Sequence, residues 1–138
     1  MKKNIEETTA NVGEVQAAAE KAAARVPTLV VLGGPTGVGR TYRIGRTTMV
    51  IGRAADADIW IDEESISRQH AQVGFVDEVV WLSDLESKNG TFREGERVTS
   101  VALRDGDKIH IGKETILKFA FQDPVDLQLH ETLYDSAT

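Results

Sequence analysis

Cysteine is absent from the 138-residue sequence. No disulfide can staple this chain and no thiolate can hold a metal, so nothing in it calls for an oxidising compartment. A reducing, cytoplasmic location is the expectation. Long apolar runs are also absent: the longest are a few residues, against the ~20 that a membrane-spanning helix requires, so no membrane insertion is expected. Met1-Lys2-Lys3 leads into Asn4-Ile5-Glu6-Glu7 with no apolar centre, which is not the build of a secretory leader. Positive charge is in deficit, with 16 Lys and Arg against 22 Asp and Glu for a net charge of −6. General nucleic-acid binding draws its affinity from neutralising phosphates and is not expected here. The three histidines stand apart from one another, without the close pairings that zinc sites favour. No metal and no cofactor are expected.

What is present divides the chain in three. Residues 1–27 are polar and then rich in alanine (Ala17 to Ala19, Ala22 to Ala24), carry no aromatic residue and end at Pro27. This reads as a flexible arm followed by a short, marginal helix. From Thr28 to Phe121 the texture is short apolar or alternating runs: Leu29-Val30-Val31, Met49-Val50-Ile51, Ile59-Trp60-Ile61, Val79-Val80-Trp81-Leu82 and Ile109-His110-Ile111. Asp77-Glu78, Asn89-Gly90, Glu94-Gly95 and Asp105-Gly106 punctuate them as turns, and a first hairpin turn is expected within Gly33 to Gly39. That spacing predicts an all-β sandwich or barrel, with Leu117, Phe119 and Phe121 on one face of a last strand. After Pro124, in the segment 122–138, Val125, Leu127, Leu129 and Leu133 suggest a short helix. Basic against acidic residues number four to four in 1–27, twelve to fourteen in 28–121, and none to four in 122–138.

Gly34-Pro35-Thr36-Gly37-Val38-Gly39-Arg40-Thr41 nearly spells the phosphate-binding loop of nucleotide hydrolases, with arginine where that pattern needs lysine. Such a loop opens a helix whose amides face the phosphates. The residues that follow, Tyr42 to Gly52, are rich in β-branched residues and glycine and favour a strand. The segment therefore reads as a glycine-rich hairpin turn, and a nucleotide binder is the least favoured reading.

Three patches carry chemistry: Gly52-Arg53, Ser67-Arg68-Gln69-His70 and Ser87-Lys88-Asn89-Gly90-Thr91. Arg53 offers a planar fork of donors suited to phosphate, Ser67 a hydroxyl, and Asn89 both a donor and an acceptor for an extended peptide backbone. These are the parts of a phosphopeptide clamp. Ser67 and His70 also have the types of a nucleophile and its base, but no third orienting group is indicated, and catalysis is not expected.

In this order on an all-β chain, Gly-Arg, Ser-x-x-His and Asn-Gly resemble the signature of the forkhead-associated (FHA) domain over about Thr28 to Phe121. The flanks are similar too: Ile51 before Gly52-Arg53, Asp58-Ile59 ahead of the serine motif, Ala71 after His70, and Leu85 before Ser87. The resemblance implies an eleven-stranded β-sandwich whose loops at one end bind phosphothreonine. It implies that Arg53 and Ser67 hold the phosphate and Asn89 the peptide main chain, with Gly52, His70, Gly90 and Thr91 structural. Arg68 and Lys88 flank the pocket and are expected to add contacts.

Both tails carry further resemblances. Glu6-Glu7-Thr8-Thr9 is similar to the Glu-Thr-Thr segment ahead of the domain in some bacterial FHA signalling proteins, where the phosphorylated arm folds onto its own domain. Thr8 and Thr9 are thus candidate sites for a Ser/Thr kinase, with Val12 as an aliphatic specificity contact. The stretch 127–138 resembles the linker helix that introduces a GGDEF diguanylate cyclase domain, which implies a sensory fragment controlling cyclic di-GMP synthesis and allows dimerisation through the linker. The expected partner is a phosphothreonine peptide, from the chain's own arm or from another protein. The alternative is a scaffold that binds partners without phosphate.

Overall fold

The computed structural model describes residues 25–129. The arm residues up to 24, with Thr8, Thr9 and the alanine-rich stretch, lie outside the described residues, as do His130 and the rest of the C-terminal tail. Among the described residues the chain runs through eleven strands: β1 (Val26–Gly33), β2 (Thr41–Arg43), β3 (Met49–Gly52), β4 (Ile59–Trp60), β5 (Ala71–Val76), β6 (Val79–Asp84), β7 (Thr91–Arg93), β8 (Glu96–Val98), β9 (Ser100–Ala102), β10 (Lys108–Ile111) and β11 (Thr115–Gln122). Six form a sheet in the order β2-β1-β11-β10-β7-β8, and five form a second in the order β4-β3-β5-β6-β9. This is the all-β sandwich that the strand spacing predicted, with the eleven strands that the family resemblance implied.

Period-two alternation builds the core. In the six-stranded sheet Leu29 lies opposite Phe119, Val31 opposite Leu117, and Leu117 opposite Ile109, all buried. In the other, Ile51 lies opposite Ala71 and Val73 opposite Leu82, and these also turn inward. The two inner faces interleave, and each fully buried aliphatic or Phe side chain contributes roughly 1.5–3 kcal/mol. Phe119 meets Phe121 edge to face at 5.2 Å. The first and last long strands pair from Val26↔Gln122 onward, so the sandwich extends past Thr28 and Phe121 at both ends.

The turn dipeptides fall between strands as the sequence suggests, but two of the four, Asn89-Gly90 and Asp105-Gly106, join strands of different sheets and close no hairpin. Asp77 and Glu78 (φ 51° and 65°) close the β5–β6 hairpin, and Glu94 and Gly95 (φ 49° and 84°) close β7–β8. Both two-residue loops have the left-handed backbone that matches strand twist. Asn89-Gly90 is not a hairpin: β6 belongs to the five-stranded sheet and β7 to the six-stranded one, so residues 85–90 cross between layers. The glycine-rich segment 34–40 joins β1 to β2, with Gly39 N–H donating to the Val31 carbonyl at 2.8 Å and Val31 N–H to the Arg40 carbonyl at 3.0 Å. It leads into a strand, not a helix.

Beyond β11, the Asp123 carboxylate accepts the Val125 N–H at 2.8 Å and the Asp123 carbonyl accepts the Leu127 N–H at 2.9 Å. Asp123 thus caps a helical stretch over 124–129, with Pro124 at its first position, where a missing N–H costs nothing. Leu127 is buried.

Candidate functional site

Four connections meet at one end of the sandwich around a cleft of about 740 Å³. Arg53 enters from the end of β3, Ser67 and Arg68 from the β4–β5 connection, and Lys88 and Asn89 from the crossing between the sheets. All five residues singled out from the sequence for ligand contact therefore line one cavity, although they are spread over 37 positions of the chain.

Close backbone approach sets their positions. A Cβ on Gly52 would overlap the Arg68 carbonyl oxygen, so only glycine lets the β4–β5 connection lie against the end of β3. Arg53 N–H then donates to the Ser67 carbonyl and Ala54 N–H to the Arg68 carbonyl, each at 3.1 Å. The Arg53 side chain is held as well, its Nε donating to the Ile66 carbonyl at 2.9 Å. That bond fixes the plane of the guanidinium while its two terminal nitrogens stay available for an oxyanion. On the opposite wall, Asn89 Nδ2 donates to the Ser65 carbonyl at 2.7 Å.

His70 is fully buried and joins two of the loops. Its Nδ1 accepts the Ser67 N–H at 3.0 Å, and its Nε2 lies 2.8 Å from the Gly90 carbonyl. Only the neutral ring protonated on Nε2 satisfies both partners. The Ser67 hydroxyl oxygen accepts the Lys88 N–H at 3.0 Å, so its own hydrogen is left to donate. Gly90 has φ 90°, the left-handed region that favours glycine, and a Cβ there would press on the Arg97 guanidinium.

Two acids that sequence reading passed over brace this arrangement. Asp84 accepts the Ser87 hydroxyl at 2.5 Å, the Thr91 hydroxyl at 2.6 Å and the Ser87 N–H at 3.1 Å, and the Ser87 oxygen in turn accepts the Gly90 N–H at 3.0 Å. Burial pushes the Asp84 carboxyl up, but these bonds outweigh it and hold the group below its ordinary value. Thr91, fully buried, is tied into the same net. Glu63 is buried beneath the cleft and accepts from the Thr115 hydroxyl at 2.7 Å, the Lys113 N–H at 2.5 Å, the Glu114 N–H at 3.2 Å and the Ser65 hydroxyl. Here too burial pushes the carboxyl up, but the Ser65, Thr115 and backbone donors outweigh it and hold the group below its ordinary value. The local signals were an acid two or three residues before a serine, Glu63-x-Ser65 and Asp84-x-x-Ser87, the pattern of side chains that bind their own turn.

The cleft rim carries four cations, Arg53, Arg68, Lys88 and Lys113, against Glu63, Glu64 and Glu114, in a chain whose net charge is −6. It presents guanidinium, ammonium, hydroxyl and amide donors, a set whose chemistry suits an anion. His110 is exposed on β10 and does not line the cleft. Among the described residues no group of His, Asp and Glu could hold a metal ion.

The FHA domain family model matches residues 49–112. The chain is 36% identical over 90 residues to the FHA domain-containing protein FhaA of Mycobacterium tuberculosis, covering 65% of this chain and 17% of that protein. It is also 36% identical over 85 residues to the glycogen accumulation regulator GarA of Mycolicibacterium smegmatis, covering 62% of this chain and 53% of GarA. The chain thus spans about half, or less, of the length of these curated relatives. A structure from an analysis of phosphothreonine-dependent FHA domain interactions superposes with a TM-score of 0.60 at 33% identity, covering 67% of this chain and 95% of that one. With nearly the whole of that domain matched, and with Gly52, Arg53, Ser67, His70, Asn89 and Gly90 gathered at one end of an eleven-stranded sandwich, this chain belongs to the FHA domain family.

Proposed function

We propose that the chain is a non-enzymatic signalling module that binds phosphothreonine peptides in the cleft bounded by Arg53, Ser67 and Asn89. The observation that carries this reading is the convergence of the Arg53 guanidinium, the Ser67 hydroxyl and the Asn89 amide, each already oriented by a backbone partner. In it, Arg53 and Ser67 hold the phosphate and Asn89 the peptide main chain, Arg68 and Lys88 add rim contacts, and Gly52, His70, Gly90 and Thr91 shape the loops. A phosphate carrying about −1.5 to −2 charges makes charge-assisted hydrogen bonds that a threonine hydroxyl cannot, so a Ser/Thr kinase becomes the switch. The relative named for phosphothreonine-dependent interactions supports the ligand class.

The chain's own arm is a ligand of the right type. Fifteen residues lie between Thr9 and Arg25, and at ~3.3 Å per extended residue they span ~50 Å, ample to reach the cleft. Tethering raises the effective concentration, so a weak motif suffices. The output is control of an attached or associated enzyme, a role in keeping with a relative named as a regulator of glycogen accumulation. Cyclic di-GMP synthesis as that output, and pairing through the linker, rest on the resemblance of 127–138 alone.

Calorimetric titration of the unphosphorylated chain with peptides of residues 4–14, unmodified or phosphorylated on Thr8 or Thr9, tests the arm. Binding of one phosphorylated peptide identifies the switch residue; binding of neither moves the ligand to another protein. A phosphate-independent scaffold would keep its partners after Arg53→Ala, whereas this reading expects loss of phosphopeptide with the fold retained.

A further inference from the structure

We propose that Glu63 is a positioning residue of the clamp, coupling the β10–β11 turn to the loop that aims Arg53 and Asn89. The inference rests on the phosphothreonine reading above. Glu63 is 7% exposed, and its carboxylate gathers donors fifty or more positions away: the Lys113 and Glu114 N–H groups and the Thr115 hydroxyl. The Ser65 hydroxyl binds the same carboxylate, while its oxygen accepts the Lys113 N–H at 2.9 Å. Gly112 makes room for this junction: its φ is 66°, and a Cβ there would overlap the Glu63 carboxylate, Ile66 and Ser65.

The consequence reaches the cleft in one further step. Ile66 N–H donates to the Glu63 carbonyl at 2.9 Å, so residues 63–66 form a single pinned turn. The two carbonyls displayed by that turn are the ones that hold the clamp: Ser65 takes Asn89 Nδ2 at 2.7 Å and Ile66 takes Arg53 Nε at 2.9 Å. Arg53 and Asn89 are therefore aimed by a turn that is itself aimed by Glu63. A site whose supporting shell slackens by an ångström loses much of its affinity. Electrostatics alone points the other way, because removing a carboxylate beside an anion site should tighten phosphate binding. The two effects have opposite signs, which makes the positioning role measurable.

The test compares wild type, Glu63→Gln, Thr115→Val and a core control, Val80→Ala, in the full chain. Affinity is read with the residue 4–14 peptide, phosphorylated on Thr8 or Thr9, that wild type binds more tightly. Arg53 Nε–H and Asn89 side-chain amide protection are read by NMR without ligand. The proposal expects Glu63→Gln to weaken binding by about 10-fold or more and to reduce protection at both groups. Val80→Ala should lower the melting temperature yet stay within about 2-fold of wild-type affinity. Should Glu63→Gln fail to fold, Thr115→Val, which keeps the charge and removes one of its hydroxyl partners, is expected to change affinity and protection in the same direction. Wild-type or tighter binding with both groups unmoved overturns the proposal. If wild type binds neither peptide, the arm reading fails, and the protection of Arg53 and Asn89 still decides whether Glu63 positions them.

Discussion

Ser67 and His70 are three positions apart and bonded to each other, yet substitution at each should have a different signature. The Ser67 hydroxyl oxygen accepts only the Lys88 N–H, on an exposed residue. Ser67→Ala should therefore leave the fold intact and remove one hydrogen bond to phosphate, about 1.5–3 kcal/mol or roughly 10- to 100-fold in affinity. Calorimetry with a bound phosphopeptide checks it, and unchanged affinity would count against the clamp. His70→Ala strips partners from the Ser67 N–H and the buried Gly90 carbonyl and leaves a hole in a fully buried position. At about 1–3 kcal/mol for each orphaned group, thermal unfolding should show a large loss of stability, and a variant that melts like wild type would contradict the bracing role. That Arg53, Ser67 and Asn89 would stand out together was legible in the sequence because their types and order are distinctive, and the fold brings them to one cleft. Glu63 and Asp84 were not, because an acid in a loop or at a strand end usually faces solvent, and their partners at 113–115 and at Ser87 and Thr91 become visible only when the chain is folded.

At the scale of elements, short alternating strands and their turn dipeptides were readable, and partnering between layers was not. Nothing in Asn89-Gly90 distinguishes a loop that crosses between sheets from a hairpin. Likewise the two-residue β4 is a strand only through its parallel pairing with β3, Ile51↔Ile59 and Gly52↔Trp60. The Asp77–Glu78 turn supplies a clean test of element energetics. Glu78 sits at φ 65° with its carboxylate 4.0 Å from Arg46 on the surface, a contact of little value. Left-handed backbone costs a side-chain-bearing residue roughly 1–2 kcal/mol, and glycine's extra unfolded-state entropy returns about 0.4–1 of it. Glu78→Gly should therefore raise the melting temperature slightly, and a fall would show that the turn gains more from Glu78 than its geometry suggests. The loop braces make a second prediction. Glu63 and Asp84 have folded-state pKa values lowered from 4.5 and 3.8. Their contribution to stability is thus complete above about pH 4.5 and is lost as the pH falls through the lowered folded values. Denaturant midpoints should hold between pH 6 and 5 and drop on further acidification, less steeply for Asp84→Asn, whose starting stability is lower. An identical acid limb in that variant would remove Asp84 from the account.

At the scale of the whole molecule, an acidic chain gathers four cations at one end of its sandwich while Glu63 and Asp84 hold the loops there. Fold and ligand site are thus separable: core alternation sets the sandwich, and the crossing loops, pinned by His70, Asp84 and Glu63, set the cleft. Among the described residues no helix is long and apolar enough to cross a membrane, and the chain spans only part of its curated relatives. Above all, this cleft is proposed to read phosphothreonine. Its most direct test is retention of the wild-type chain and Arg53→Ala on two immobilised degenerate peptide libraries, identical except that the fixed central residue is phosphothreonine in one and threonine in the other. Wild type is expected to be retained by the phosphothreonine library alone, and folded Arg53→Ala by neither. Equal retention of wild type on both libraries, or retention of Arg53→Ala on the phosphorylated one, would contradict it.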